Sequence, residues 1–271
     1  MVQLHLCGEG KMDYGNVLGE AFGYAKEGLV GNLVKWILLL VLEILPVIPI
    51  IAWAFVFVGS MMSGGTPDFL SLMGGFVVAL IIAVLLGAIY QGYMLKILRG
   101  DKPLPEITEL GKLFVDGIKY LVIEIVYMIP VFIVLVAVIG AVAMTAIAQN
   151  ITDPKTLAAA AMGPALVGIL IAVILAIILG LLALIGVIRF ARTGKMGEAF
   201  NFGEIFATIG KIGWGTYILA LIILVVIFGI IYVVLGLIPI VGAIIELIIG
   251  PFLMVFAARY FCLLYDSAGT A

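Results

Sequence analysis

Charge is scarce in this sequence, and histidine and cysteine are scarcer still. Charged residues make up 11% of the 271, with one histidine and two cysteines. Each shortage excludes something. The single histidine, His5, leaves none inside any apolar segment, so a Ser-His-Asp triad has no base there. His, Cys, Asp and Glu nowhere fall at metal-ligand spacing. There is no Walker A motif and no Rossmann fingerprint, and Gly8-Glu9-Gly10-Lys11 is too short to cradle a phosphate. Cys7 and Cys262 fall on the same expected side of the membrane, so no disulfide framework is expected. No basic patch is interleaved with aromatics, which removes support for nucleic-acid binding. The sequence thus points to no cofactor and no metal, and it argues against an enzyme. Residues 1–11 lack the charged start and apolar core of a signal peptide. They read as a disordered extension or a mis-assigned start, with Met12 opening the fold.

Apolar residues are what the chain has in excess: 65% of it, with a mean hydropathy of +1.37. Soluble domains average about 45–50% apolar. Lipid can solvate such a surface, and a spanning helix needs about 20 apolar residues. Six stretches qualify, at roughly 33–58, 69–98, 118–148, 162–190, 214–237 and 240–265. The expected fold is all-α and polytopic, one membrane domain over 12–266 followed by a short tail at 267–271. Ala158 to Ala161 reads as an external loop or the start of the fourth span. A tight turn around 237–243 joins the last two spans.

The lysines and arginines orient it. Of the 14, only Lys155 falls on the side opposite the rest. By the positive-inside rule both termini and the loops after spans two and four are cytoplasmic. Asn150-Ile151-Thr152 is a glycosylation sequon in an external loop, which makes Asn150 a candidate acceptor. The basic triplets Lys96, Arg99, Lys102 and Arg189, Arg192, Lys195 are topology determinants and candidate contacts for anionic lipid head groups.

Charged segments with apolar residues at spacings of three and four precede the odd-numbered spans, at 14–29, 106–118 and 199–212. Such helices lie in the membrane interface. Gly15, Gly19 and Gly23 on the first permit close helix packing. The segments also expose a repeat. Gly19-Glu20-Ala21-Phe22 precedes Trp36 as Gly197-Glu198-Ala199-Phe200 precedes Trp214, with 14 residues from Phe to Trp in both. Lys35 and Lys119 each lie 11 residues before a proline, Pro46 and Pro130. The expected unit is an interfacial helix and a helical hairpin. Three tandem copies, at about 12–100, 101–192 and 193–266, share one orientation.

Three acids fall inside spans: Glu43, Glu124 and Glu246. An intramembrane acid costs about 2.5–3.5 kcal/mol at a helix centre, which makes it a functional candidate. Glu43 is the deepest, seven residues past Trp36, or about 10 Å. Pro46 and Pro49 follow it, removing backbone donors and freeing carbonyls. An acid beside unwound carbonyls is the pattern of a cation or proton site in transporters. The alternative is a protonated or hydrogen-bonded structural acid. Glu124 and Glu246 lie nearer the interfaces, and for them the structural reading is preferred.

The segments LPEITELGKLFVDGIKYLVIEIVYMIP (104–130), RFARTGKMGEAFNFGEIF (189–206) and PFLMVFAARYFCLLY (251–265) resemble archaeal membrane proteins catalogued as domain of unknown function 4013. The resemblance spans about 12–266. It implies the cytoplasmic membrane of an archaeon, a methanogen, and carries over no activity or site. Three readings of function stay open. One is a non-catalytic scaffold, assembly factor or subunit, docking lipid or other membrane proteins by its cytoplasmic amphipathic helices and compatible with an oligomer. The second is a solute or ion transporter with a path on the pseudo-threefold axis near Glu43. The third, and least favoured, is a lipid-active enzyme using Glu106, Glu109, Asp116, Glu198 or Glu204.

Overall fold

The computed structural model describes residues 12–64 and 68–269; the expected extension at 1–11, with His5 and Cys7, lies outside them. Among the described residues the regular structure is helical. The helices are α1 (Tyr14–Ala25), α2 (Leu33–Ile44), α3 (Val47–Met62), α4 (Phe69–Leu98), α5 (Leu110–Ala148), α6 (Pro154–Thr193), α7 (Phe202–Ile212), α8 (Trp214–Gly236) and α9 (Val241–Asp266). A π-helical turn (Lys26–Val30) extends α1, and a 3-10 turn (Met196–Phe200) leads into α7. Asp13, Asn32, Asp68, Asp153 and Asn201 each accept a backbone N–H three residues on, satisfying a donor in the first turn of the following helix.

Five helices are long and apolar enough to cross a bilayer, and α2 with α3 forms a pair bent by 40° that has the length and composition of a sixth span or of a re-entrant segment. The chain is therefore a polytopic helical membrane protein. The bend falls at Leu45-Pro46, where proline offers no N–H to the carbonyl a turn earlier. Pro49 sits in the first turn of α3, where an absent donor costs little. Pro130 lies within α5, which continues past it.

The sequence reading needs correction in several places. The segment 106–118 is not a separate interfacial helix. Helix begins at Leu110 and runs unbroken into the span. Chemistry explains the difference. The segment at 14–29 breaks at Gly31 and restarts on the Asn32 cap, and the one at 199–212 breaks at Gly213, whose φ of 89° only glycine adopts readily. The segment at 106–118 runs into Gly117-Ile118-Lys119 instead, and Gly117 is helical because it packs. A Cβ on it would overlap the Ala88 carbonyl of α4, and one on Gly92 would overlap the Leu113 carbonyl of α5. These two glycines bring α4 and α5 into backbone contact. Gly19 and Gly23, by contrast, face open space and mediate no close approach. Ala158 to Ala161 are inside α6, not in a loop. At 1.5 Å per residue, the 39 residues of α5 and 40 of α6 reach about 60 Å, beyond a hydrocarbon core of about 30 Å.

Packing is concentrated at one end. Helices α4, α6 and α9, the second member of each hairpin, contact one another there. Cys262 Sγ of α9 donates to the Ile97 carbonyl of α4 at 3.3 Å, and Arg192 of α6 donates to the Leu98 carbonyl at 3.0 Å. Leu98, Ile185, Ile188, Ala258 and Cys262 are buried in this centre. Helix α1 lies along α9 with Ala21 and Ala25 fully buried, and Leu29 just beyond it is buried too. Away from this end fewer residues are buried. Buried residues of α5 stop at Val131 and those of α8 at Leu224, and α3 has none. Those outer halves are apolar on every side, as lipid contact demands.

Candidate functional site

Two clusters hold nearly all the polar chemistry. The first is an ionic collar at the packed end. Asp116 in the first turns of α5 pairs with Arg99, which follows α4, and with Lys119 at 3.7 Å. Glu198 of the 3-10 turn pairs with Arg189 of α6, which also reaches Glu204 at 3.6 Å. Glu20 of α1 receives Arg259 of α9 and Lys102, each at 2.6 Å. Arg192 binds Asp266 at 2.7 Å and stacks over the Tyr265 ring. Lys35 joins Glu106 at 2.8 Å and the Leu104 carbonyl at 3.1 Å, while Lys96 donates to the Glu106 carbonyl at 2.8 Å.

Five of the six basic residues proposed as lipid contacts are thus engaged within the chain. Lys195 is the exposed exception. The acids raised as enzyme candidates, Glu106, Asp116, Glu198 and Glu204, are partners in these pairs, and Glu109 pairs with its neighbour Lys112 at 3.6 Å. Burial alone would raise the Glu20 carboxyl, but the hydrogen bonds from Lys102 and Arg259 outweigh it and hold it below the ordinary range. Arg189 likewise lowers the Glu198 carboxyl.

The second cluster surrounds Glu43 in the last turn of α2. Its Oε2 is buried without a hydrogen-bond partner, and the Tyr90 hydroxyl of α4 is its polar neighbour. Gly250 of α9 leaves room for the carboxylate; a Cβ there would overlap it. Tyr232 of α8 lies within electrostatic reach of both Glu43 and Glu246. The Trp36 indole donates to the Ile248 carbonyl of α9 at 2.8 Å and ties the start of α2 to the same helix. The structure therefore places Glu43 and the Pro46 break where α2, α4 and α9 meet, with Glu246 one turn before Gly250 on α9. Glu124 stands apart on α5, accepting the Tyr120 hydroxyl.

Asn150 is exposed at the end of α5 with a φ of 51°. Asparagine tolerates this left-handed geometry, so the turn alone accounts for it. Among the described residues no group of His, Cys, Asp and Glu is placed to hold a metal.

Sequence reasoning missed Tyr90, Gly250, Asp266 and the pairing role of Glu20. For Glu20 a signal existed: the same acid recurs in both Gly-Glu-Ala-Phe copies, each with a basic partner near the end of a span. Tyr90 and Gly250 carry no such mark.

The family model described as a protein of unknown function, DUF4013, matches residues 75–240. The chain belongs to this family. The match begins within α4 and ends before α9, so it holds Asp116, Glu124, Arg189 and Glu198 but not Glu20, Glu43, Glu246 or Arg259. No curated protein and no solved structure matches the chain.

Proposed function

We propose that this DUF4013 protein is a non-catalytic component of a cytoplasmic membrane, built from three tandem units with both termini and the collar on the cytoplasmic side. The observation carrying this reading is the order of the ion pairs. Arg99, after the first unit's last span, pairs with Asp116 in the second. Arg189, near the end of the second, pairs with Glu198 in the third. Arg259, near the end of the third, returns to Glu20 in the first. Each junction joins an exit base to the next collar acid, and the last closes the ring. Such a ring fixes one face of the molecule.

The apolar faces offered for docking are partly used by the bundle, since Ile205 and Ile209 of α7 are fully buried, as Ala21 and Ala25 of α1 are. Phe22, Phe202, Phe206 and Trp214 remain about half exposed around the collar. Aromatics of this kind settle at a membrane interface and anchor partners there. Extraction into lipid nanodiscs after crosslinking in the native membrane tests the reading. The same neighbour should be enriched with the wild-type chain and lost from a folded Phe22→Ser, Phe206→Ser variant. A chain with no reproducible neighbour counts against it.

A second reading, ion or proton transport, is favoured by the unpartnered Glu43 Oε2 beside the Pro46 break. A route on the axis would require α4, α6 and α9 to part. Glu43→Gln in proteoliposomes should abolish any proton or sodium flux the wild type supports; equal flux removes Glu43 from the mechanism.

A further inference from the structure

A cavity of about 380 Å³ lies between α4, α5, α6 and α9, apart from the Glu43 cluster. Its walls are apolar: Met94, Leu98, Met128, Leu184, Val187 and Phe261. Its inner end is made by Leu98, Tyr120 and Val187, all buried, and its open side by Glu124 and Gly180, both exposed. Glu124 is the one charged group in the lining.

Four details point to a ligand. The volume is at the low end for ligand pockets, which run about 300–1,000 Å³, and suits one alkyl chain better than a two-chain lipid. The polar groups are not equivalent. Tyr127 is committed to the Ala199 carbonyl at 2.6 Å, whereas Glu124 accepts only Tyr120, on Oε1, and enters none of the ion pairs among the described residues. Its other oxygen can accept from a donor entering the cavity. Gly180 spends no space on packing, since a Cβ there meets nothing within 4 Å. The two methionines adapt to an irregular chain.

We propose that this cavity binds a single-chain cationic amphiphile, its alkyl chain in the pocket and its ammonium on Glu124. Glu124 is five residues past Lys119, about 7 Å along the helix, a depth that a head group at the interface reaches. Low local dielectric strengthens the pairing, and an anionic head is repelled.

The test uses the full chain in phosphatidylcholine nanodiscs with diazirine-bearing alkyl probes of one chain length and three head groups: amine, alcohol and carboxylate. The amine should label saturably, at peptides containing 94–98, 120–128 and 180–187. Glu124→Gln should weaken amine labelling about tenfold, the loss of one charge-assisted hydrogen bond. Gly180→Phe should abolish labelling and Gly180→Ala should preserve it. Equal labelling by amine and carboxylate overturns the proposal, and so does saturable labelling that survives Gly180→Phe. Diffuse labelling along α3 and α8, the mark of partition into bulk lipid, overturns it as well. Melting temperatures guard against misfolding. Should Gly180→Phe melt lower than wild type, the head-group preference of Glu124→Gln decides, and an unchanged preference for amine overturns the assignment.

Discussion

Arg259 is 3% exposed, and a guanidinium so placed requires a counter-charge. Glu20, 239 residues earlier, supplies it, and the Tyr24 ring lies 5.1 Å from the guanidinium carbon. Breaking a buried pair costs about 3–5 kcal/mol because the surviving charge stays buried, whereas replacing both members by apolar groups is often neutral. Glu20→Ala should therefore lower the melting temperature sharply in detergent, and Glu20→Leu combined with Arg259→Met should restore most of it. The pH dependence follows from the same pair. The Glu20 carboxyl is held below its ordinary value of 4.5 in the folded chain, so its contribution is complete above 4.5 and is lost as pH falls through the lowered value. Melting temperatures should decline on acidification below 4.5 in the wild type, and the Leu/Met double variant should lose this part of the decline. A double variant with the wild-type acid slope would show that the pair does not carry it.

At the scale of elements, what was legible in the sequence follows what backbone chemistry alone controls. Spans 69–98 and 214–237 are set by continuous apolar runs, and they match α4 and α8 to within a residue. The bend after Glu43 was legible because Pro46 removes a donor wherever it sits in a helix. Pro130 has the same chemistry, yet α5 continues through it as one helix packed between α4 and α6. The fusion of 110–118 with its span was hidden for a related reason. A glycine can break a helix or let two helices touch, and only the neighbouring Ala88 carbonyl determines which role Gly117 takes. Period-3.6 patterning marked the apolar faces of α1 and α7 without saying whether lipid or protein would cover them. The structure covers them with α9 and the core. The Glu43 cluster was half legible: the acid and the proline stand together in sequence, but Tyr90 and Gly250 arrive from other helices and look like any tyrosine or glycine in an apolar run.

The whole molecule is asymmetric along its long axis, and that asymmetry makes its orientation testable. The collar gathers nearly all the basic residues at one end, while Lys155 is exposed in the first turn of α6 at the other. Positive charge resists translocation, and the orientation proposed above therefore puts the collar on the cytoplasmic face and Lys155 outside. Cys262 is buried and serves as an unreactive background. With Cys7 replaced by Ser, a membrane-impermeant maleimide should label Lys155→Cys on intact cells. It should label Lys195→Cys, exposed just past α6, only after permeabilisation. The reverse pattern would invert the molecule and turn the collar outward. Labelling of both positions from the same side would mean that α6 does not cross the membrane, and the three-hairpin reading would fall with it. The two positions bracket one helix of 40 residues. A single pair of variants therefore tests the orientation and a crossing on which the tandem arrangement depends.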